Sequence, residues 1–211
     1  MIQPRLHTLH GLYAITDSQL MSDDETLLSN VTQAFEGGVK ILQYRDKSDD
    51  SEKRLRQASL LKDLCDQHGV TFLINDDPQL AFDAKADGVH LGQTDGAVLT
   101  ARALLGDEAI IGVTCHDQLN LAKKAIDEGA NYIAFGAFFP SKTKPNATPA
   151  PMHLITEAKT RFHCPVVAIG GITVDNAPQL INQGVDMLAV IHSLFSADDI
   201  RLRAAEFTHS F

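Results

Sequence analysis

The amino-acid sequence predicts an α/β protein that forms a single (β/α)8 barrel, the TIM-barrel architecture, over residues 1–211. Three features predict this fold: eight short apolar segments recur along the chain, amphipathic helical patterns separate them, and glycines follow four of those patterns. With 44% hydrophobic residues the chain can bury one large core, as barrels of about 200 residues or more do. An open doubly wound sheet is the alternative, but that fold usually has fewer strands.

The apolar segments are predicted to be parallel strands because most are continuously apolar, which is typical of strands covered on both faces. In chain order they are GLYAIT from Gly11, VKILQYR from Val39, TFLIND from Thr71, GVHLGQ from Gly88, AIIGVT from Ala109, YIAFGAFF from Tyr132, PVVAIGG from Pro165 and MLAVIHS from Met187. Apolar residues three and four positions apart predict helices between them. The clearest series are Leu28, Val31 and Phe35; Leu55, Ala58, Leu61 and Cys65; and Leu119, Ala122 and Ile126.

Capping residues predict where some helices begin and end. Asp77 followed by Pro78 is typical of an N-cap with proline in the first turn, and Asp117 is predicted to cap the helix after it. Glycines that follow helical stretches are predicted to be left-handed C-caps, namely Gly38, Gly69, Gly129 and Gly184.

The composition argues against several classes of protein. Lys plus Arg total 18 against 27 Asp plus Glu, a net charge of −9, and no basic run interleaved with aromatics predicts a nucleic-acid partner. No segment approaches the roughly 20 consecutive apolar residues of a membrane span, and the first residues lack the apolar stretch of a signal peptide. Cys65, Cys115 and Cys164 are odd in number and far apart, which favours a reduced, cytoplasmic protein without a membrane partner.

Polar residues at the carboxyl ends of barrel strands build the active site in this fold. After the second strand, Gln43, Arg45 and Lys47 alternate, so an extended segment projects them to one side. An Arg and a Lys on one side suit a polyphosphate, because Arg offers a bidentate fork and Lys a point charge. The alternative is a set of exposed charges paired with the aspartates that follow.

Two aspartates are predicted to meet at the same rim. Asp76 follows the third strand and Asp95 the fourth, while Asp77 serves as a helix cap. Carboxylates without a His or Cys companion suit Mg²⁺, which takes oxygen ligands and keeps waters and substrate phosphates around it. The alternative for Asp95 is that it caps the next helix.

Later strand ends offer groups that could bind anions. Thr114 ends the fifth strand with a hydroxyl, which could equally serve a local turn. The sixth strand leads into Ser141, Lys142, Thr143 and Lys144, which could bind an anion or form an ordinary polar loop. The prolines of residues 144–151 make that stretch a candidate lid.

A second phosphate site is predicted after strands seven and eight. Gly170 and Gly171 permit close backbone approach to a ligand. Ile191 and His192 stand before the last helix, where barrels commonly bind phosphate.

Histidine chemistry is not predicted. His90 lies within a strand and is predicted to be a hydrogen-bonded core residue rather than a base. No Ser-His-Asp or Cys-His arrangement is apparent. An acidic metal site, a basic cluster beside it and a separate phosphate site together suit a transferase whose leaving group is pyrophosphate.

The sequence resembles the thiamine phosphate synthase family over nearly its whole length. The matching segments, in the family's order, are LYAITD, ILQYRDK, INDD, ADGVHLGQTD, IGVT, YIAFGAFFPSKTK, VVAIGGIT and GVDMLAVI. The resemblance implies a (β/α)8 transferase that joins 4-amino-2-methyl-5-(diphosphooxymethyl)pyrimidine to 4-methyl-5-(2-phosphooxyethyl)thiazole. Its products would be thiamine phosphate and pyrophosphate, with one Mg²⁺ per active site. Its partners would be small phosphorylated molecules. The oligomeric state is left open, and a homo-oligomer is one possibility.

The resemblance also implies roles for individual residues. The pyrimidine diphosphate site would comprise Gln43, Tyr44, Arg45, Asp46, Lys47, Asn75, Thr114 and Lys144, of which Arg45, Lys47 and Lys144 would be catalytic. The thiazole phosphate site would comprise Ser141, Lys142, Thr143, Gly171, Ile191 and His192, and the metal ligands would be Asp76 and Asp95. The family's commonest residues differ at Thr114 and Ser141, which keep a hydroxyl, and at His192, which keeps the backbone donor.

Two alternative functions remain. A thiazole tautomerase-like paralogue would share the barrel but would need an acid-base histidine after strand six, where this chain has Ala137. A non-catalytic sensor of a thiamine precursor would bind its ligand without magnesium-dependent turnover.

Overall fold

The computed structural model describes residues 9–140 and 149–211, and eight parallel strands form a closed barrel within them. Each strand pairs with the next, and β8 pairs with β1. The strands are β1 (Gly11–Ile15), β2 (Ile41–Tyr44), β3 (Thr71–Asn75), β4 (Gly88–Leu91), β5 (Ile110–Thr114), β6 (Tyr132–Gly136), β7 (Val166–Ile169) and β8 (Met187–Val190). Every predicted segment contains one of them, so the predicted (β/α)8 barrel is confirmed.

Helices alternate with the strands in the described residues. They are α1 (Asp24–Glu36), α2 (Ser51–His68), α3 (Pro78–Asp83), α4 (Val98–Leu105), α5 (Leu119–Asp127), α6 (His153–Arg161), α7 (Ala177–Ile181), α8 (His192–Phe195) and α9 (Ile200–Thr208). In this part of the chain, no helix has the length and apolar character needed to cross a bilayer.

The core has two layers, and this explains why the strands are continuously apolar. Leu12 and Ala14 of β1 point outward into the layer between strands and helices. Tyr13 and Ile15 point inward, where they meet residues such as Met187 from other strands. Both faces of each strand are therefore removed from water.

The predicted helix stripes and caps are partly correct. Val31 and Phe35 are buried on α1 as expected, but Leu55 is 40% exposed because the buried face of α2 begins at Gln57 instead. Asp77 caps α3 by accepting from the amide of Leu80 at 2.9 Å. The cap predicted at Asp117 is wrong: α5 begins at Leu119 with Gln118 as its N-cap residue and no side-chain cap bond. Asp117 thus lies one residue too early to cap the first turn.

The predicted glycine C-caps all adopt positive φ. Gly69 is the left-handed C-cap residue of α2, with φ 65°. Gly38, Gly129 and Gly184 have φ between 88° and 99°, but each lies beyond the C-cap residue of its helix, which is Gly37, Glu128 or Asn182. These values lie in the region that a Cβ disfavours.

At the amino ends of the strands, the residues directly before β4, β6 and β8 bridge neighbouring strands through their side chains. Asp87, Asn131 and Asp186 directly precede β4, β6 and β8, and we call them the bridge residues. Each accepts, at 2.7–2.8 Å, a hydrogen bond from an amide near the start of the preceding strand. Each also pairs with a cationic side chain from the helix that leads into that preceding strand. Asp87 pairs with Lys62, Asn131 with Arg102 and Asp186 with Lys159.

The equivalent position before β2 is occupied by a lysine. Lys40 donates its amide to the carbonyl of Leu12, as the bridge residues do to their own neighbours, but its side chain has no oxygen to accept a second bond. Close to this position, α9 contacts the end of α1, because the Thr208 hydroxyl donates to the carbonyl of Gly37 at 3.0 Å. The segment that leads from α1 into β2 is therefore held against a helix from the far end of the chain.

We expect Arg102→Gln to lower the free energy of unfolding by about 2 kcal/mol. Its guanidinium donates to the carbonyls of Ala109 and Gly129 and to the Asn131 side chain, and glutamine cannot reach all three. Urea denaturation measures the change. The matched control is Arg161→Gln, which removes an exposed pair with Glu157 and should cost less than about 0.5 kcal/mol. Equal losses in the two variants would contradict the assignment.

Candidate active site

Two carboxylates converge at the rim formed by the carboxyl ends of β3 and β4. Asp76 follows β3 with φ 63°, and Asp95 accepts from the amide of Gly92 at 2.9 Å. A Cβ placed on Gly92 would lie 2.3 Å from Asp95 Oδ2 and 3.9 Å from Asp76 Oδ1, so the glycine leaves room for the Asp95 carboxylate next to Asp76. Helix α4 begins at Val98 after Ala97. The alternative that Asp95 caps this helix is therefore wrong.

The pKa values of the two carboxyl groups are shifted in opposite directions. Burial raises the pKa of Asp95, and the neighbouring charge of Asp76 raises it further. Burial also opposes ionisation of Asp76, but hydrogen bonds from Lys47 and Asn75 outweigh burial and lower its pKa. Like charges held this close need a shared proton or a cation. No group of three or more His, Cys, Asp or Glu side chains suited to a metal occurs among the described residues, so other ligands would be waters or substrate oxygens, as Mg²⁺ prefers.

The basic residues after β2 lie beside this pair. Lys47 forms an ion pair with Asp76, while the Arg45 side chain makes no ion pair with any described residue. The Arg45 backbone is fixed, because its amide donates to the Thr16 hydroxyl at 2.8 Å. The Arg45 guanidinium is thus available to a ligand. The alternative in which both cations pair with the aspartates that follow them is not observed.

Two residues of the implied pyrimidine site have side chains directed elsewhere. Tyr44 packs in the outer layer and donates to Gln57 Oε1 at 2.8 Å. The Asp46 side chain is 1% exposed and accepts from Lys53 at 3.0 Å and from the Ser48 amide at 2.7 Å. Both can offer a ligand only their backbone, since their side-chain oxygens are already engaged.

A chain of hydrogen bonds crosses the barrel interior below the rim, and we call it the interior chain. Gln43 Nε2 donates to Tyr13 Oη at 2.6 Å, and Tyr13 Oη lies 2.9 Å from Tyr132 Oη. His90 Nδ1 lies 2.8 Å from Tyr132 Oη, and His90 Nε2 lies 2.8 Å from the Thr114 hydroxyl. Burial lowers the pKa of His90 to about 4, so its ring is neutral near pH 7. The prediction of a hydrogen-bonded core histidine is confirmed.

The loops after β6 and β7 are in close backbone contact. Gly171 has φ 65°, and a Cβ there would lie 2.3 Å from the Pro140 carbonyl oxygen and 2.6 Å from that of Phe139. Gly171 therefore makes room for the neighbouring loop. The sequence instead predicts that it makes room for a ligand. The predicted anion-binding residues Ser141, Lys142, Thr143 and Lys144 lie outside the described residues.

The loop after β8 leads directly into α8. Ile191 is the N-cap residue, and the first helical residue is His192, whose Nδ1 lies 2.8 Å from the Ser196 hydroxyl. The Ser193 hydroxyl donates to the Ile172 carbonyl at 2.6 Å, which ties α8 to the loop after β7. Amides at the start of a helix have no intrahelical acceptor, so the amides of Ile191 and His192 fit the predicted backbone site for phosphate.

Comparison with known proteins decides the family. The sequence model of thiamine monophosphate synthase matches residues 12–194. This chain belongs to the thiamine monophosphate synthase family. A thiamine-phosphate synthase from Saccharophagus degradans is 52% identical over 198 residues, covering 94% of this chain and 91% of the relative. The chain is therefore an enzyme of the transferase class that serves thiamine biosynthesis, as the sequence predicted.

Solved structures agree with this assignment. Thiamine phosphate pyrophosphorylase from Pyrococcus furiosus superposes with a TM-score of 0.87 at 30% identity, over 98% of this chain and 97% of the other. The (S)-3-O-geranylgeranylglyceryl phosphate synthase of Thermoplasma acidophilum has a TM-score of 0.76 at 14% identity, over 99% and 98% of the two chains. The second likeness shows the shared barrel alone.

Proposed function

We propose that this enzyme joins 4-amino-2-methyl-5-(diphosphooxymethyl)pyrimidine to 4-methyl-5-(2-phosphooxyethyl)thiazole, forming thiamine phosphate and releasing pyrophosphate. The observation that carries the proposal is the convergence of Asp76 and Asp95 beside Arg45 and Lys47. A paired acidic and basic site of this kind suits a diphosphate that must depart with its charge neutralised. One substrate carries a diphosphate and the other carries a phosphate. This accounts for two separate anion sites on one rim of the barrel.

The carboxylate pair fits one Mg²⁺ ion. Asp76 and Asp95 would hold it, and their close approach over Gly92 is the arrangement that supports this. When bound, Mg²⁺ would neutralise negative charge that develops on the departing pyrophosphate. Arg45 and Lys47 would bind the same diphosphate, Arg45 through a guanidinium that no described residue pairs with and Lys47 through the ammonium group that now faces Asp76.

The proposed reaction needs no protein nucleophile. Cleavage of the carbon–oxygen bond leaves a pyrimidine methylene cation, which the ring amino group stabilises, and the thiazole nitrogen then attacks that carbon. Burial raises the pKa of Cys115 to about 12 and that of Cys164 to about 11, so neither thiol is ionised near pH 7. The protein's part is to align two substrates and to keep out water that would trap the cation.

The thiazole phosphate would lie across the loops after β6, β7 and β8. The amides of Ile191 and His192 and the backbone at Gly171 would donate to its phosphate, an arrangement typical of barrels. We assign Ser141, Lys142 and Thr143 to the same site and Lys144 to the diphosphate by resemblance, because they lie outside the described residues.

We expect Gly171→Ala to raise the KM for the thiazole phosphate about 10- to 100-fold. The new methyl group would meet the carbonyl oxygens of Pro140 and Phe139, which displaces the loop after β6. Steady-state kinetics at saturating pyrimidine substrate measure the effect. Gly69→Ala is the matched control, because Gly69 has the same φ of 65° but nothing within 4 Å of the added carbon. It should lose about 1 kcal/mol of stability and keep the wild-type KM. A similar rise in both variants would contradict the loop argument.

The proposed function is tested by incubating the purified protein with both substrates and Mg²⁺, with EDTA in a parallel sample. We expect thiamine phosphate and pyrophosphate in equal amounts, and neither product with EDTA. Binding of a thiamine precursor without turnover would indicate the sensor instead.

The tautomerase alternative is opposed by a particular contact. Ala137 stands where that activity would need an acid-base histidine, and its Cβ lies 2.3 Å from where a Cβ on Gly170 would be. The Ala137 side chain thus packs against the backbone after β7 and offers no proton-transfer group. The tautomerase alternative would require that the protein catalyse metal-independent proton exchange on the thiazole.

A further inference from the structure

Three residues of the interior chain have no role in the reaction described so far. Tyr13, Tyr132 and His90 are buried inside the barrel, and each contributes a polar atom to a continuous series of hydrogen bonds. At the two ends of that series stand Gln43 and Thr114. The family resemblance assigns both end residues to the pyrimidine site.

The donors in this series can be assigned by counting protons. A tyrosine hydroxyl donates once, and a neutral imidazole has one donor and one acceptor nitrogen. If Gln43 donates through Nε2, Tyr13 must donate to Tyr132 and Tyr132 to His90 Nδ1. His90 then carries its proton on Nε2 and donates it to the Thr114 hydroxyl. Every bond in the series therefore points the same way.

This direction fixes what each end presents to a ligand. Gln43 uses Nε2 inside the barrel, and its Oε1 has no partner among the described residues, so it can accept. The Thr114 hydroxyl receives the last bond of the series, so its own proton is free to donate. An aminopyrimidine has the complementary pair, because its amino group donates and its ring nitrogen accepts.

The centre of the series is held in place sterically. A Cβ on Gly112 of β5 would lie 1.9 Å from Cζ of Tyr132, so glycine alone leaves space for that ring. The Tyr132 ring also stacks on His90, with centroids 5.6 Å apart and planes at 25°. The Tyr132 hydroxyl therefore has little freedom to move away from its two partners.

We infer that Tyr13, Tyr132 and His90 are positioning residues that join Gln43 and Thr114 into one directed recognition unit for the aminopyrimidine ring. This inference rests on the proposed function, since it takes the pyrimidine diphosphate as the ligand. The unit orients an acceptor and a donor together, so loss of any inner link weakens recognition at both ends. Among the described residues, none of its hydrogen bonds reaches Gly171, Ile191 or His192.

The test is Tyr132→Phe, which removes one hydroxyl and keeps the stacked ring. We expect the KM for the pyrimidine diphosphate to rise about tenfold, the value of one or two hydrogen bonds, and the KM for the thiazole phosphate to stay unchanged. The matched control is Gln57→Leu, which removes a buried amide hydrogen-bonded to Tyr44 outside the barrel. It should alter stability and neither KM.

A double-mutant cycle separates positioning from a general packing defect. Gln43→Met and Thr114→Val should be non-additive in their effects on the pyrimidine KM when Tyr132 is present, and additive in the Tyr132→Phe background. Additivity in both backgrounds, or equal changes in both KM values in Tyr132→Phe, would overturn the inference. If Tyr132→Phe fails to fold, Tyr13→Phe breaks the adjacent link and provides the same test. A wild-type protein that forms no thiamine phosphate would instead refute the proposed function.

Discussion

Asp76→Asn should lower turnover by about a hundredfold or more at saturating substrates. The substitution keeps the size of the side chain and removes the charge that, with Asp95, would hold Mg²⁺. Affinity for the metal should fall together with turnover, which a titration with Mn²⁺ followed by electron paramagnetic resonance can measure. Rates near those of the wild type at high Mg²⁺ would remove Asp76 from the metal site.

The adjacent residue provides the control for that experiment. Asp77→Asn also removes one carboxylate charge, but Asp77 caps α3 and pairs with Arg54. Asparagine is as good an N-cap as aspartate, so the helix should be retained. We expect turnover and metal affinity to stay within a factor of about three. A large loss in this variant would mean that the Asp76 result reports general electrostatics at the rim.

Arg45→Gln is expected to have the second largest effect. Because the Arg45 guanidinium has no ion-pair partner among the described residues, its charge is free for the diphosphate of the substrate. Removing it should reduce kcat/KM for the pyrimidine diphosphate about 100- to 1000-fold and leave the KM for the thiazole phosphate nearly unchanged. Steady-state kinetics with each substrate varied in turn give both values.

Arg56→Gln is the matched control for Arg45. Arg56 lies on α2 and pairs with Asp24 at 2.8 Å on the outside of the barrel. The variant makes the same change in net charge, so any loss that it shares with Arg45→Gln comes from the overall field of the protein. If the two variants have equal kcat/KM values, Arg45 does not bind the diphosphate.

The fold could be predicted from sequence because its signals are local and repeated. Continuous apolar strands, amphipathic helices and glycine C-caps such as Gly69 each follow from a few neighbouring residues. The sequence-based prediction is wrong where a difference of one residue decides which residue caps a helix. Asp117 and Gln118 both stand before α5, and only the turn after β5 determines which of them is the N-cap residue.

The sequence predicts some features of the candidate site and not others. The meeting of Asp76 and Asp95 follows from parallel strands that end at one rim, which sequence order alone gives. The interior chain could not be predicted, because a tyrosine within an apolar strand has the same pattern whether its hydroxyl is paired or not. The directions of Tyr44 and Asp46 were equally hidden, since they depend on partners in α2 at Gln57 and Lys53.

The contact between α9 and the segment before β2 forms late during synthesis. The junctions before β4, β6 and β8 each have a bridge residue, but Lys40 cannot serve as one, and the Gly37 carbonyl nearby accepts from Thr208 in α9. Gly37 lies against α9 so closely that an added Cβ would be 2.4 Å from Ala204. The ribosome must therefore release α9 before this contact can form. Until then, the end of α1 lacks a partner that is made almost last.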